Sequence, residues 1–231
     1  MNTDICKVTA QRTIEEWHQP SPRVGSGHDA RSSSNGLLSI FYGSLEHAAH
    51  YQWLNAGRTL VDKTYLNILW QAAELAHNGY DFTNMASNLD AFVRAQLEPI
   101  WYELDLLSHE EKQQQAIKLI QQAAAEVFGS GYHEQHAAWL LFYLCPQLPV
   151  FPFNAALQTR ISTRLHQPQS ATNYLEYQQQ CRQLYSRMLP LIQDFNASVE
   201  YGNEQERKTV SKVLRGSDWW QRYCFIKQLL A

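Results

Sequence analysis

Glycine and proline are scarce in this chain, which has only 10 glycines and 8 prolines among its 231 residues. Together with abundant glutamine, alanine and leucine, this scarcity favours helices over a sheet. The chain also lacks any run of about 18 apolar residues, so the sequence predicts no transmembrane helix. Residues 1–12 lack the apolar stretch of a signal peptide. We therefore expect a cytoplasmic protein without membrane contacts.

Positive charge is not in excess either, because the formal net charge is −3. Any contact with nucleic acid must therefore come from a local basic patch rather than from a global field. The glycines form neither a phosphate-binding loop nor a dinucleotide fingerprint, so we expect no cofactor. The four cysteines form no CxxC pair and are typical of free thiols in a reducing cytosol: Cys6, Cys145, Cys181 and Cys224.

The residue pattern divides the chain into two parts. Residues 1–36 are polar and interrupted by serine, glycine and proline, which predicts a flexible or partly ordered N-terminal segment with a short helix near residues 9–18. Residues 37–231 predict a single all-α domain, with a short strand or apolar lead-in at residues 36–42.

Capping residues and prolines mark the boundaries of the predicted helices. Asp62 and Asn154 are good helix N-caps, and Ser108 begins a capping box. Pro99 and Pro190 predict bends or interruptions. The predicted helices cover residues 44–56, 62–78, 84–107, 108–128, 133–144, 154–165, 171–195, 203–214 and 217–230.

The most informative stretch lies in the middle of the chain. A helix ends in a tight glycine turn, Gly129-Ser130-Gly131, and an apolar helix follows from His133 to Leu144. A rigid connector with three prolines then leads to Asn154, which begins the next helix.

This order resembles the helix-hairpin-helix superfamily of base-excision DNA glycosylases, and more narrowly the bacterial proteins with an 8-oxoguanine-glycosylase fold. The resemblance extends loosely over residues 40–230. It implies a glycosylase-like fold in which backbone N–H groups of Gly129, Ser130, Gly131 and Tyr132 hold a DNA phosphate. Some of the similar bacterial proteins excise modified bases from phage DNA, including glucosylated hydroxymethylcytosine. The implied partner is therefore double-stranded, modified phage DNA, and we expect a monomer.

Two residues depart from the family's pattern. His133 stands where the bifunctional branch has its nucleophilic lysine, which favours hydrolysis by water over a Schiff-base lyase. Asn154 stands where the family has its catalytic aspartate, at a slightly longer distance from the glycines. An amide can orient a water and present its carbonyl dipole, but it cannot take up a proton. We expect a monofunctional DNA glycosylase with Asn154 and His133 in catalytic roles.

Tryptophans are candidate walls for the pocket of a flipped base, namely Trp139, Trp219 and Trp220. Adjacent helical residues point about 100° apart, so we expect at least one of Trp219 and Trp220 to meet a boundary or a pocket. Asp218, beside them, is the candidate catalytic carboxylate, although a plain helix N-cap also explains it.

Basic residues suggest where DNA could lie. Arg160 and Arg215 are the predicted DNA contacts besides the glycine turn. The C-terminal part is locally basic, which fits either a solvated helix face or a phosphate-contact face; its other basic residues are Arg207, Lys208, Lys212, Arg222 and Lys227.

Three other interpretations of the sequence remain open. Arg160 and His166 fit the loose pattern of HEPN ribonucleases, which are also helical and use an arginine and a histidine to cleave RNA. A non-catalytic DNA- or protein-interaction module of the same fold is the other alternative. Two histidine pairs with i, i+3 spacing could hold a metal, but they lack the usual accompanying motif, so we expect no metal site; they are His47 with His50 and His133 with His136.

Overall fold

The computed structural model describes residues 45–50, 53–54, 56–73, 75, 79–129, 133–167, 171–196 and 217–230. The predicted N-terminal segment 1–36, the lead-in at 36–42 and the helix at 203–214 lie outside these residues. Within the described part, helices and turns account for the regular structure and there is no strand, which confirms the all-α prediction. The described part likewise contains no helix with the length and apolar character needed to cross a bilayer.

We number the described α-helices in chain order. They are α1 (Leu45–His50), α2 (Lys63–Ala72), α3 (Phe82–Phe92), α4 (His109–Phe128), α5 (Glu134–Leu144), α6 (Ala155–Arg164), α7 (Tyr174–Asn196) and α8 (Trp219–Leu230).

The predicted caps of α2 and α4 are confirmed. The Asp62 carboxylate accepts the Tyr65 N–H at the start of α2. Ser108 and Glu111 form both bonds of a capping box at the start of α4. Such caps stabilise a helix because the first four N–H groups have no partner inside it.

Helix α3 differs from its prediction at both ends. It begins after Asp81, whose carboxylate accepts the N–H groups of Thr83 and Asn84, so the helix starts earlier than predicted. Its C-terminal end widens into a π-helical turn, Val93–Leu97, just before Pro99. Proline has no N–H to continue an α-helix and its ring crowds the preceding turn, which explains why the regular helix ends there.

Helix α5 lies at the centre of the core. Its residues from His136 to Leu144 are all buried, on every face of the helix. It packs against α2 and α4 on one side. On the other side its Phe142 ring stacks on Trp219 of α8, with the ring centroids 5.0 Å apart. Helices α6, α7 and α8 pack against one another and complete that side.

The segment after α5, residues 145–153, is here called the proline link. Residues 145–152 are buried without forming a helix or strand. Buried backbone N–H and C=O groups must find partners, because leaving them unpaired costs free energy. The partners of this link come from side chains of α7 and α8.

Arg222 of α8 provides the central set of these bonds. Its guanidinium donates to the carbonyl oxygen of Val150 at 2.7 Å and to that of Pro146 at 2.8 Å. The same group pairs with Asp218 at 2.8 Å and lies over the Phe142 ring. The Arg222 side chain is only 1% exposed, so its positive charge interacts with groups inside the protein and not with solvent.

Helix α7 holds the rest of the link. The Tyr174 hydroxyl accepts the N–H of Phe151 and donates to its carbonyl oxygen, at 3.0 and 3.1 Å. The Tyr177 hydroxyl donates to the Pro152 carbonyl at 2.8 Å, and the Gln178 amide to that of Pro149 at 3.3 Å. The position of Asn154, directly after the link, is therefore fixed by side chains far along the chain.

Three cysteines lie within the described residues, and all three are buried free thiols, as predicted: Cys145, Cys181 and Cys224.

We expect Arg222→Met to destabilise the protein by about 3–5 kcal/mol, because it leaves two buried carbonyls and the Asp218 carboxylate without their partner. Urea unfolding measures this loss. The matched control is Arg187→Met on the exposed face of α7, where we expect a change within about 0.5 kcal/mol. Equal effects of the two substitutions would show that the proline link does not depend on Arg222.

Candidate functional site

Asn154 has the backbone geometry and hydrogen bonding of a helix N-cap, as predicted. Its φ and ψ of −152° and 176° are extended, and its side-chain oxygen accepts the Leu157 N–H at 2.9 Å. The residue is half-buried at the junction of the proline link and α6. One lone pair of the amide oxygen is thus used by the cap, and the second lone pair and the NH₂ group are not needed for it.

A cleft of about 240 Å³ opens beside Asn154. We call it the Asn154 cleft. The elements that form it are the end of α2, the first two turns of α5, the end of the proline link and the last turn of α8. Its lining residues are Ala72, Ala73, Leu75, Gln135, His136, Trp139, Phe153, Asn154, Lys227 and Leu230.

Trp139 forms one wall of this cleft, and its role beside a flipped base stays a prediction. Its ring stacks on Tyr143 with a centroid distance of 6.1 Å and an interplanar angle of 25°. The indole is 5% exposed, and its Nε1–H has no hydrogen-bond partner among the described residues. A buried N–H without a partner is uncommon in proteins, and this one is covered rather than open to the cleft.

His136 is the titratable wall residue next to it. Its imidazole stacks on Trp70 at 5.4 Å, and its Nδ1 lies 3.4 Å from the Nδ1 of His133. The Tyr80 hydroxyl in turn lies 3.4 Å from the His133 Nδ1. His133, which the sequence placed in the catalytic machinery, does not line the cleft but adjoins it through His136.

Burial, with a smaller contribution from the neighbouring charge of His133, lowers the pKa of His136 to about 4. The imidazole of His136 is therefore neutral at pH 7. Its ring nitrogens can form hydrogen bonds without a positive charge. The cationic residue of the lining is Lys227.

The low pKa of His136 predicts a pH dependence of stability. Between about pH 6.5 and 4, the unfolded chain protonates this imidazole and the folded chain does not, so the free energy of unfolding falls as the pH falls through this window. His136→Gln is expected to flatten that slope by up to about 1.4 kcal/mol per pH unit. Urea unfolding at pH 7, 5.5 and 4.5 measures it.

The control for this prediction is His166→Asn. His166 is exposed and has a φ of 54°, a conformation that asparagine tolerates. We expect this substitution to leave the slope unchanged. A His136→Gln slope that matches the parent would contradict the lowered pKa.

A second and larger cavity, of about 570 Å³, borders the proline link at Pro149 and Phe151. We call it the Asp218 cavity. It lies between the start of α4, the proline link, α7 and the start of α8. Its lining residues are His109, Gln113, Pro149, Phe151, Gln179, Arg182, Gln183, Tyr185, Ser186, Leu189, Asp218, Gln221 and Arg222.

Asp218 lines this second cavity and does not line the Asn154 cleft. Burial by itself raises the pKa of Asp218, but the charge and hydrogen bond of Arg222 and the bond from the Tyr185 hydroxyl outweigh it, and the net pKa lies below its usual range. The carboxylate is thus ionised and held by Arg222 at 2.8 Å and Tyr185 at 3.3 Å. It does not replace the missing aspartate beside Asn154.

The expectation that Trp219 or Trp220 meets a boundary or a pocket is wrong. They are 0% and 5% exposed, and neither lines the two cavities. Tyr223, one turn further along α8, stacks on both indoles, with centroid distances of 5.2 Å to Trp219 and 5.8 Å to Trp220. This ring covers both tryptophans. The Trp219 Nε1 donates to the Phe142 carbonyl at 2.7 Å, so Trp219 is a core residue.

The glycine turn is described only at its first residue. Gly129 has a left-handed φ of 73° and closes α4, since its N–H donates to the Ala125 carbonyl at 2.9 Å. This amide is used by the helix end. Ser130, Gly131 and Tyr132 lie outside the described residues, so the phosphate-binding hairpin stays a prediction.

The predicted DNA contacts are also only partly described. The Arg160 guanidinium donates to the Leu229 carbonyl at 2.6 Å, which joins α6 to the C-terminal end of α8. Arg222 is buried and cannot contribute to a basic surface. The other predicted basic residues before α8 lie outside the described residues: Arg207, Lys208, Lys212 and Arg215.

The remaining alternatives can be compared with the same geometry. The HEPN pair, Arg160 and His166, is not favoured, because Arg160 holds a helix end and His166 follows the end of α6 on the surface. The side chains of His47 and His50 lie outside the description. Within the described ranges no three His, Cys, Asp or Glu side chains form a group that could hold a metal ion.

The sequence reasoning missed the part that Lys227 and His136 play in the cleft. His136 was considered only as a possible metal ligand, and Lys227 only as part of a basic surface. Lys227 lies with its Nζ 5.6 Å from the centre of the Tyr223 ring. The sequence did contain a signal for His136, because it lies three residues before Trp139 and therefore on the same face of α5.

A comparison with known proteins identifies no protein-family model, no curated protein and no solved structure that matches this chain. The geometry of the chain itself is therefore the basis for a function.

Proposed function

We propose that the protein is a monofunctional DNA glycosylase that hydrolyses the N-glycosidic bond of a modified base flipped into the Asn154 cleft. The observation that carries the proposal is the placement of Asn154 at the N-cap of α6. There it ends a rigid buried link and lines a cleft walled by Trp139. A base must leave the DNA stack to reach such a cleft, and an aromatic wall compensates for the stacking it loses.

The cleft has groups for each part of such a reaction. The Trp139 ring can stack on a base, the Gln135 amide can bond to the edge of the base, and the neutral His136 can accept a hydrogen bond from water. Lys227 places a positive charge where negative charge develops on the departing base or where a DNA phosphate lies.

In the proposed step, the oxygen of a water forms a bond to C1′ of the sugar as the bond from C1′ to the base nitrogen breaks. The bond electrons leave with the base, which takes up a proton, and the water loses one. Asn154 orients the water and directs its carbonyl dipole toward the positive charge that develops on the sugar. No carboxylate is present among the described lining residues, so the reaction favours a modified base that leaves easily.

The first test is the release of base from DNA carrying glucosylated hydroxymethylcytosine, with unmodified DNA beside it. We expect alkali-labile abasic sites only in the modified DNA. Asn154→Ala is expected to lower the rate about 100-fold, because a positioned dipole is lost at the reacting centre. Asn154→Asp keeps the cap and supplies a carboxylate, so we expect it to raise the rate.

The matched control is Asn173→Ala. Asn173 caps α7 through the Glu176 N–H at 3.0 Å and lies outside the cleft. Each alanine variant removes one cap and is expected to cost about 1 kcal/mol of stability, but only the change at Asn154 alters base release. DNA binding without release by the parent protein would support a non-catalytic binding module instead.

The second test asks whether an amine takes part. Lys227 lines the cleft, and a lysine there could attack C1′ and form a Schiff base. Under the monofunctional proposal, borohydride traps no protein–DNA adduct, the product strand stays intact until alkali is added, and Lys227→Met weakens DNA binding without changing the product. A trapped adduct that disappears in Lys227→Met would identify a lyase and overturn the monofunctional assignment.

A further inference from the structure

The lining of the Asp218 cavity is rich in side chains that form hydrogen bonds. Four carboxamides line it, together with one carboxylate, one hydroxyl-bearing ring and two arginines. Carboxamides both donate and accept hydrogen bonds, and they are the side chains that pair with the edges of nucleobases. The four are Gln113, Gln179, Gln183 and Gln221.

Two of these carboxamides have an unused polar atom. Gln113 is 5% exposed; Arg182 donates to its oxygen, but its Nε2 has no hydrogen-bond partner. The Oε1 of Gln221 is likewise buried without one. A buried polar group without a partner is costly in a folded protein and calls for an explanation. Both residues line the same cavity, but these two atoms are covered in the ligand-free protein, so a ligand reaches them only when the two side chains rotate toward it.

Asp218 adds a third, oriented group. Arg222 holds one carboxylate oxygen and Tyr185 the other. Each oxygen has a second lone-pair site, so the carboxylate can still accept two N–H bonds. Its side chain is 41% exposed, which leaves it open to the cavity.

The remaining lining residues include three apolar side chains and two exposed basic side chains. Pro149, Phe151 and Leu189 are apolar. The exposed side chains of Arg182 and His109 lie at the edge of the cavity, where a phosphate could meet them. A volume of about 570 Å³ falls in the range of small-molecule sites.

We propose that the Asp218 cavity binds a mononucleotide. The base lies against the apolar side, its N–H groups donate to Asp218 and Gln221, and its carbonyl or ring nitrogen accepts from Gln113. The phosphate lies at the rim beside Arg182. This site shares no lining residue with the Asn154 cleft, so the proposal does not depend on glycosylase activity.

Titration calorimetry with the four deoxynucleoside monophosphates tests this proposal on the full chain. We expect at least one to bind with a dissociation constant below about 1 mM. Inorganic phosphate and deoxyribose 5-phosphate, which lack the base, are expected to bind at least about tenfold more weakly. Absence of nucleotide binding, or equal binding of the two baseless probes, would overturn the proposal.

Gln113→Leu and Gln221→Leu show whether the cavity is the site. Each removes one hydrogen-bonding group, so each is expected to weaken nucleotide binding about tenfold. Gln122→Leu is the matched control, since Gln122 lies on the same helix as Gln113, also has a buried oxygen without a partner, and does not line the cavity.

Stability measurements separate binding from folding. The Oε1 of Gln221 has no partner in the protein, so we expect the thermal midpoint of Gln221→Leu to stay near that of the parent. Gln113→Leu also removes the oxygen that accepts from Arg182, so we expect its midpoint to be lower. If Gln113→Leu fails to fold, Gln221→Leu decides the question. Nucleotide binding equal to that of the parent in the folded variants would rule out the Asp218 cavity, whereas unchanged binding in Asn154→Ala is expected.

Discussion

The bonds from Arg222 to the proline link are the constraint on which the rest of the structure depends. The link is buried but forms neither helix nor strand, so its carbonyls need side-chain partners. Arg222 supplies two of these bonds and balances its own charge against Asp218. Removing one partner of such a buried network leaves the others desolvated and unpaired, which is more costly than any single bond suggests.

The same link borders two cavities that share no lining residue. The Asn154 cleft, at the end of the link, has a neutral histidine, an indole and a lysine. The Asp218 cavity, at Pro149 and Phe151, has an ionised carboxylate and four carboxamides. Asp218, the carboxylate that the sequence favoured as a substitute beside Asn154, thus lies elsewhere, because its charge is needed to neutralise Arg222. This division explains why a glycosylase of this geometry would depend on dipoles rather than on a second charge.

Much of the fold could be predicted from local signals. The caps at Asp62, Ser108 and Asn154 are recognisable because the side chain and the N–H it bonds lie within three residues. The start of α3 at Asp81 was missed although its signal is also local, since a competing start at Asn84 fitted the pattern equally well. The burial of both Trp219 and Trp220 was missed for a different reason: it depends on the Tyr223 ring and on α5, whose positions a helical projection does not contain.

By itself, the sequence determined the helical character, most helix boundaries and the identity of Asn154 as a cap after a proline-rich segment, because periodicity and capping are short-range properties. Only the tertiary structure decided which side chains share a cavity. Trp139 and Lys227 meet across 88 residues of sequence, and Asp218 lies apart from Asn154 although both were candidates for one site. The composition of each cavity follows from the positions at which α7 and α8 pack on the buried link. Those positions depend on contacts between residues far apart in the sequence, and such contacts leave no local sequence pattern.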